Sequence, residues 1–219
     1  MIYTAMFGGT DEVHDPIIDM SEWDMLFFTD ANIKSNKWNI IKISQKDEFD
    51  PIQMSRYYKM LPHLHLQDYD ISLWVDASIL IRKPINHFFD FINDNVKMAA
   101  YQHTNSWERE FGFMNFWCND EELLNRMKTS FENDGFDTQS KIINGNVIIR
   151  KHGAKEVIET MELWWKKFHE FYIKRDQVSF AYSVWKTGLK VNFFEGLYPR
   201  GDRNSYFLNI GHKKHNRIK

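Results

Sequence analysis

One carboxylate, Asp76, lies inside the apolar run ISLWVDASILI, where a charge is costly unless something pairs with it. Two small residues, Ala77 and Ser78, follow it, so a ligand could approach the carboxylate without steric crowding. Hard cations such as Mg²⁺ and Mn²⁺ take oxygen ligands and bridge to phosphates, and such a cation would offset the desolvation of Asp76. An aspartate that caps a turn, or that pairs with Arg82, explains this segment equally well.

Two cations, Arg56 and Lys59, lie three residues apart in the segment DPIQMSRYYKMLP. Asp50 can cap a helix in this segment and Pro51 suits its first position, so both cations would lie near one helical face. Two cations on one face suit a diphosphate. A solvated basic face is the ordinary alternative.

Polar residues also interrupt or flank later elements. Asn144 and Gly145 lie within the apolar segment IINGNVIIRKH, where the glycine indicates a bulge or a close ligand approach. In KRDQVSF, Arg175 precedes Asp176 at a helix start. Asp176 could be a catalytic carboxylate or could only complement the helix dipole. His212, in NIGHKKH, is a weak metal signal by itself.

The first two apolar runs end in residues that could contact a ligand. Gly8 and Gly9, in TAMFGGTDE, allow a close backbone approach or a simple tight turn. Thr29 and Asp30, in FFTDAN, could hold a ribose or a base edge, or could form a turn. The sequence lacks the GxGxxG, GxxxxGK[ST], GxSxG and HExxH motifs, so it gives no sign of a dinucleotide site, a P-loop or a hydrolase nucleophile.

Short strands that alternate with helices must position these residues. Apolar runs predict strands at residues 2–7, 25–29, 38–43, 71–75, 96–101, 142–150 and 189–194. Helices are predicted to follow the caps Asp50 and Asn119, to cover 155–174 with an aromatic core stripe, and to end at Gly188. This alternation predicts an α/β fold with a largely parallel sheet, which binds ligands at the carboxyl ends of its strands.

Bulk composition excludes several classes of protein. The 219 residues, 43% of them hydrophobic, suit one domain with a sizeable core, expected over residues 1–211 with a basic tail or linker at 212–219. Lysines and arginines number 28 against 30 acids, which argues against a nucleic-acid partner. The single cysteine, Cys118, excludes an intramolecular disulfide and favours the cytoplasm. No apolar stretch approaches the roughly 20 residues of a membrane span.

Together and in this order, these segments resemble nucleotide-sugar glycosyltransferases of the GT-A fold. The chain is similar to a family, long called a domain of unknown function, that includes bacterial glycosyltransferases and plant cell-wall-related proteins. It is also similar to glycosyltransferase domains at the N-terminus of large viral proteins. The matching segments span residues 3 to about 191 and are YTAMFGGTDEVHDP, FFTD, RYYKMLPH, DYDISLWVDASILI, NGNVIIRKH, WW and RDQVSFAYSVWKTGLKV. The resemblance implies a single Rossmann-like domain, with a mostly parallel central sheet and helices on both faces.

The resemblance also implies a role for each matched residue. VDAS occupies the place of the DxD motif, so Asp76, the weaker ligand Ser78 and the late His212 would hold Mn²⁺ or Mg²⁺. Asp176, with Arg175 beside it, would lie near the anomeric carbon, and His103 is a second candidate base. The donor would contact Thr4, Ala5, Met6, Phe7, Gly8, Asp30, Arg56, Lys59, Asp76, Ala77, Asn144, Gly145 and Gln177.

The implied activity is that of a hexosyltransferase. It would move a glucose- or rhamnose-type sugar from a UDP-sugar to a glycan acceptor, with the metal's help, as a monomer in the cytoplasm. TNSWERE replaces the family's Arg-Asp-Cys element, and this segment would shape the acceptor site. Because Ser78 replaces the second aspartate, a non-catalytic UDP-sugar-binding module is the competing hypothesis. A metal-dependent phosphoesterase would need more clustered acids than the sequence has.

Overall fold

The computed structural model describes residues 1–9, 12–44, 46, 48–116 and 118–211. Its strands are β1 (Ile2–Met6), β2 (Met25–Thr29), β3 (Asn39–Lys42), β4 (Ser72–Val75), β5 (Ile79–Ile81), β6 (Met98–Ser106), β7 (Lys141–Arg150), β8 (Val191–Phe193) and β9 (Phe207–Asn209). Seven of them form one sheet in the order β3-β2-β1-β4-β7-β6-β8, and β5 pairs with β9 in a second sheet. Within the central sheet β7 runs antiparallel to both of its neighbours and the other pairings are parallel. The predicted α/β fold with a mostly parallel sheet is therefore confirmed.

The α-helices are α1 (Pro51–Met60), α2 (Trp107–Gly112), α3 (Glu121–Asn133), α4 (Lys155–Glu170) and α5 (Gln177–Thr187). Short 3-10 helices cover Pro62–Leu64, Asn86–Phe91 and Phe113–Phe116. None of the helices in the described ranges is long and apolar enough to cross a membrane.

Helix α1 begins where the sequence predicts. The Asp50 carboxylate accepts the backbone N–H of Gln53 at 2.8 Å, and the Gln53 side chain accepts the Asp50 N–H at 2.9 Å. This reciprocal pair satisfies two N–H groups that a helix start otherwise leaves unpaired, and Pro51 fits the first turn because it lacks an N–H. This fixed start determines the positions of Arg56 and Lys59, one turn apart within α1.

The predicted cap of α3 is wrong by one residue. Asp120, and not Asn119, caps the helix, because its carboxylate accepts the backbone N–H of Leu123 at 2.9 Å. A carboxylate also has a more favourable interaction with the positive end of the helix dipole than an amide does.

Alternate residues of the sheet face two separate cores. Tyr3 and Ala5 face a core built with α1, α4 and α5, whereas Ile2 and Met6 face the opposite one. The second core is covered by the β5–β9 sheet and the 3-10 helix Asn86–Phe91. A third apolar cluster joins α2 and α3 to α5.

The apolar run around Asp76 is divided between the two sheets. β4 confirms the predicted strand at 71–75, but the following ILI forms β5, which pairs with β9. The Ile79 N–H donates to the Asp76 carbonyl at 2.9 Å, so the chain turns at Asp76. Neither β5 nor β9 was predicted, since each has three residues and their pairing spans more than 120 residues of sequence. The turn leaves Asp76 at the end of a strand, beside the site.

Candidate active site

The carboxyl ends of β1, β2 and β4 bring Gly8, Asp30 and Asp76 to one edge of the sheet. The Gly8 N–H donates to both carboxylate oxygens of Asp30, each at 3.1 Å. Gly8 has a φ of +72°, and a Cβ there would lie 2.8 Å from the Pro51 ring. Only glycine therefore fits this tight turn against the start of α1. Nucleoside contacts of Gly8 and Asp30 stay predictions.

The residues that precede Gly8 are covered by the core. Thr4, Ala5, Met6 and Phe7 are buried, and Phe7 stacks on Tyr58 with ring centroids 5.5 Å apart. Within residues 4–8, which were expected to contact the donor, Gly8 is the residue that is exposed to solvent.

Two cations and two carboxylates form the centre of the site. Lys59 Nζ lies 3.0 Å from Asp176 Oδ2 and 3.3 Å from Asp76 Oδ1. Arg56 Nε lies 2.9 Å from the same Asp176 oxygen. Burial alone would raise the pKa of Asp176, but the charges of Arg56 and Lys59 outweigh it and hold this pKa below its usual value. Asp176 is thus a buried carboxylate that resists protonation.

The side chain of Asp176 is not used to cap its own helix. Although Asp176 is the N-cap residue of α5, its carboxylate makes no capping hydrogen bond. Its backbone carbonyl accepts the indole N–H of Trp164 at 2.9 Å and the hydroxyl of Ser179 at 3.0 Å. The backbone is therefore anchored from two helices while the carboxylate points to Arg56 and Lys59.

Asp76 is engaged through one oxygen. Its Oδ1 accepts the indole N–H of Trp74 at 2.7 Å and also faces Lys59. The proposed pairing with Arg82 is wrong, because Arg82 instead contacts Asp202 and the carbonyl of Asn204. The Asp76 side chain is 23% exposed, so it opens toward solvent beside the buried Lys59.

At the centre of the site, the described residues offer a divalent metal a single partly exposed carboxylate, that of Asp76. Glycosyltransferases of this fold commonly use such metals. Among the described residues, however, no three His, Cys, Asp or Glu side chains are grouped as metal ligands. Asp76 shares its Oδ1 with an ammonium and Ser78 is buried, while His212 lies outside the described residues.

A second polar cluster surrounds Glu110, a residue that the sequence analysis missed. Glu110 is buried on α2 and pairs with the Arg175 guanidinium, and its Oε2 accepts from Asn105 Nδ2 at 3.0 Å. Arg175 therefore supports this cluster beside Asp176. One signal in the sequence could have identified Glu110: it lies three residues after Trp107. Residues at this spacing lie on the same face of a helix, so burial of Trp107 predicts burial of Glu110.

His103 belongs to the same cluster. Its ring stacks on Tyr198 with centroids 4.6 Å apart, and its Nε2 lies 4.0 Å from Glu110. Burial, together with the charges of Arg175 and Arg200, lowers the pKa of His103 to about 4. Nδ1 accepts the Asn105 N–H at 3.0 Å, so the neutral ring carries its proton on Nε2. His103 therefore has no free lone pair with which to act as a base.

The remaining predicted donor contacts have different surroundings. Asn144 is buried, and its side-chain Oδ1 accepts the Asn146 N–H at 3.0 Å, next to a shift in the register between β6 and β7. Ala77 packs against the second core. The buried Oε1 of Gln177 has no hydrogen-bond partner among the described residues, so it is an acceptor that a ligand hydroxyl could satisfy.

The fold is that of the GT-A glycosyltransferases. Mouse xyloside xylosyltransferase 1 superposes with a TM-score of 0.52 at 7% identity, covering 88% of this chain and 84% of that one. The galactosyltransferase LgtC, in complex with donor and acceptor sugar analogues, gives 0.44 at 10% identity, with 88% and 73% covered. The mannosyltransferase Ktr4p of S. cerevisiae gives 0.44 at 9% identity, with 82% and 68% covered.

Sequence comparison identifies the family. The chain belongs to the TOD1/MUCI70 glycosyltransferase-like domain family, whose pattern matches residues 22–212. No curated protein matches the sequence. The resemblance to GT-A glycosyltransferases that the motifs indicated is thereby confirmed at the level of family and fold.

Proposed function

We propose that this glycosyltransferase-like domain transfers a glucose- or rhamnose-type sugar from a UDP-sugar to a glycan acceptor. The observation that carries the proposal is the pair of cations, Arg56 and Lys59, held against Asp76 and Asp176 at the carboxyl ends of the strands. This is the edge at which open α/β sheets bind ligands. The Arg56 side chain is 22% exposed and the Lys59 side chain only 2% exposed. The two cations therefore do not form a solvated basic patch on the surface of a helix.

The chemistry demands positive charge where the leaving diphosphate accumulates negative charge. Arg56, whose side chain is 22% exposed, can reach a phosphate directly, and Lys59 lies behind it. Fixed cations in a partly dehydrated site stabilise developing charge without having to reorganise. Glycosyl transfer also passes through an oxocarbenium-like state, which the negative charge of an ionised Asp176 would stabilise.

Asp176 suits this electrostatic role better than that of a general base. A base must take up a proton near the working pH, whereas two cations hold the pKa of Asp176 below its usual value. The free acceptor oxygen of Gln177, the next residue, would orient a sugar hydroxyl. His103 and Arg175 lie in the Glu110 cluster, and we assign them the support of this region and not proton transfer.

The expected Mn²⁺ or Mg²⁺ stays a prediction that rests on Asp76, Ser78 and His212. Substitution of the second DxD aspartate by Ser78 favours one competing function, a UDP-sugar-binding module without catalysis. The two functions differ in a single observable, because the module binds the donor but never releases UDP.

The experiment measures UDP release from UDP-glucose, UDP-galactose and UDP-rhamnose, with and without oligosaccharide acceptors. We expect Arg56→Met to lower kcat by roughly 10²-fold, as when one transition-state donor is removed. Lys155→Met, at an exposed position in the first turn of α4, is the matched control. Donor binding by calorimetry without UDP release would establish the binding module, and no binding of any UDP-sugar would refute both functions.

The biological setting follows from the sequence resemblance. We propose that the acceptor is a viral capsid or cell-surface glycan and that transfer takes place in the cytoplasm, the host's if the chain is viral. The single cysteine, Cys118, supports a reducing compartment.

A further inference from the structure

The ammonium group of Lys59 lies between the two carboxylates of the site. Its Nζ is 3.0 Å from Asp176 and 3.3 Å from Asp76, and the side chain is only 2% exposed. The rings of Trp74 and Trp164 flank it, with centroids 5.8 and 5.6 Å from Nζ. A fixed cation that links two acidic groups at the carboxyl ends of the strands has the arrangement that a divalent ion takes in a metal site.

Gly145 indicates that the site is built around this ammonium. A Cβ at position 145 would lie 3.1 Å from Lys59 Nζ and 3.5 Å from its Cε. The backbone of Gly145 does not adopt a positive φ, so its conformation does not require glycine. The space that the missing side chain leaves is therefore used by the tip of Lys59.

The charge of Lys59 can act on an anion bound next to it. Its ammonium donates a hydrogen bond to Asp176 and forms an ion pair with Asp76, so it would attract a phosphate at the rim of the site through its charge and without direct contact. Arg56 and Asp76 form the partly exposed rim, while Lys59 and Asp176 form the buried floor. A diphosphate bound at the rim would contact Arg56 and would also be attracted by the charge of the buried Lys59.

We propose that Lys59, together with Arg56, supplies the positive charge that a divalent metal supplies in related glycosyltransferases, so that the chain binds a nucleoside diphosphate without metal. The inference rests on the proposed function. Two observations favour it: the described residues contribute one partly exposed carboxylate in place of a metal-ligand set, and the ammonium already occupies that carboxylate's Oδ1. A second cation bound to Asp76 would be repelled by Lys59.

The test is calorimetric titration of the chain with UDP, in excess EDTA and in excess Mn²⁺. We expect the two dissociation constants to agree within about threefold, since a charged hydrogen bond from Arg56 and the nearby charge of Lys59 carry the affinity. Lys59→Met should weaken UDP binding in EDTA by about tenfold or more, because it removes that buried charge. Gly145→Ala, which displaces the ammonium without removing it, should weaken binding by roughly threefold, and the exposed Lys155→Met should leave it unchanged.

Different outcomes separate the inference from the proposed function. UDP binding that requires Mn²⁺, and that Asp76→Asn abolishes, overturns the inference while the proposed function survives. No UDP binding in either condition, by a chain that circular dichroism shows to be folded, overturns both. If Lys59→Met does not fold, the wild-type comparison and Gly145→Ala still decide. Electron paramagnetic resonance of free Mn²⁺ provides a second readout. We expect a mixture of Mn²⁺, UDP and protein to give the same free-Mn²⁺ signal as Mn²⁺ and UDP without protein.

Discussion

Replacing Asp176 with asparagine removes a buried charge and keeps the shape of the side chain. Arg56 Nε and Lys59 Nζ lie 2.9 and 3.0 Å from Asp176 Oδ2. At an effective dielectric constant of about 20, each contact has a Coulomb energy of about 5–6 kcal/mol before desolvation is subtracted. Removing one partner of a buried ion pair costs about 3–5 kcal/mol in practice. We therefore expect Asp176→Asn to lower the free energy of unfolding at pH 7 by about that amount, or roughly 10 °C in Tm.

The loss of unfolding free energy caused by Asp176→Asn should depend on pH. Because the pKa of Asp176 is lower in the folded chain than in the unfolded one, its stabilisation is complete above the unfolded-state pKa of about 4 and is lost as the pH falls through the folded pKa. The difference in unfolding free energy between wild type and Asp176→Asn should thus be constant from about pH 6 to 8. It should shrink below about pH 4.

The assay is urea unfolding of both chains, followed by tryptophan fluorescence. Asp202→Asn is the matched control, because Asp202 pairs with Arg82 at the surface and is 79% exposed, so its loss should cost less than about 1 kcal/mol. UDP affinity of Asp176→Asn should not fall, since the two cations lose a competing anion. A stability loss no larger than that of Asp202→Asn would refute the claim that Asp176 is the buried partner of Arg56 and Lys59.

Three further predictions concern the elements that support the site. In urea unfolding, Gly8→Ala should destabilise the chain by more than Gly9→Ala. Both substitutions place alanine at a positive φ, which costs about 1–2 kcal/mol, but only the methyl group at position 8 also collides with Pro51. Equal losses of stability would contradict this contact. The His103 ring should titrate with a pKa of about 4 in an NMR pH series, so a midpoint near 6.5 would show that it is neither buried nor next to cations. Asp120→Ala should lower the unfolding free energy by about 1 kcal/mol through loss of the α3 cap, whereas Asn119→Ala should change it little, and the reverse order would restore the cap that the sequence predicted.

Local signals in the sequence were sufficient for most of the helices and strands. The carboxylate of Asp50 next to Pro51 determines the start of α1, and Gly188 ends α5 in a left-handed conformation with a φ of 70°. These signals work because a cap or a stop depends on atoms within a few residues. The strands β5 and β9 lacked such a signal, since each is short and is stabilised by its distant partner.

The sequence by itself determined the fold class, the family resemblance and the types of residue that meet at the strand ends. It could not determine their partners. Lys59 contacts Asp176, which lies 117 residues away, and Glu110 pairs with Arg175, because three-dimensional packing brings separate helices to one edge of the sheet. Asp76 therefore began as an unexplained charge with a metal, a turn or Arg82 as candidate partners. Only the tertiary structure placed Lys59 beside it, since the energy of an ion pair depends on distance and burial, which a linear sequence does not contain.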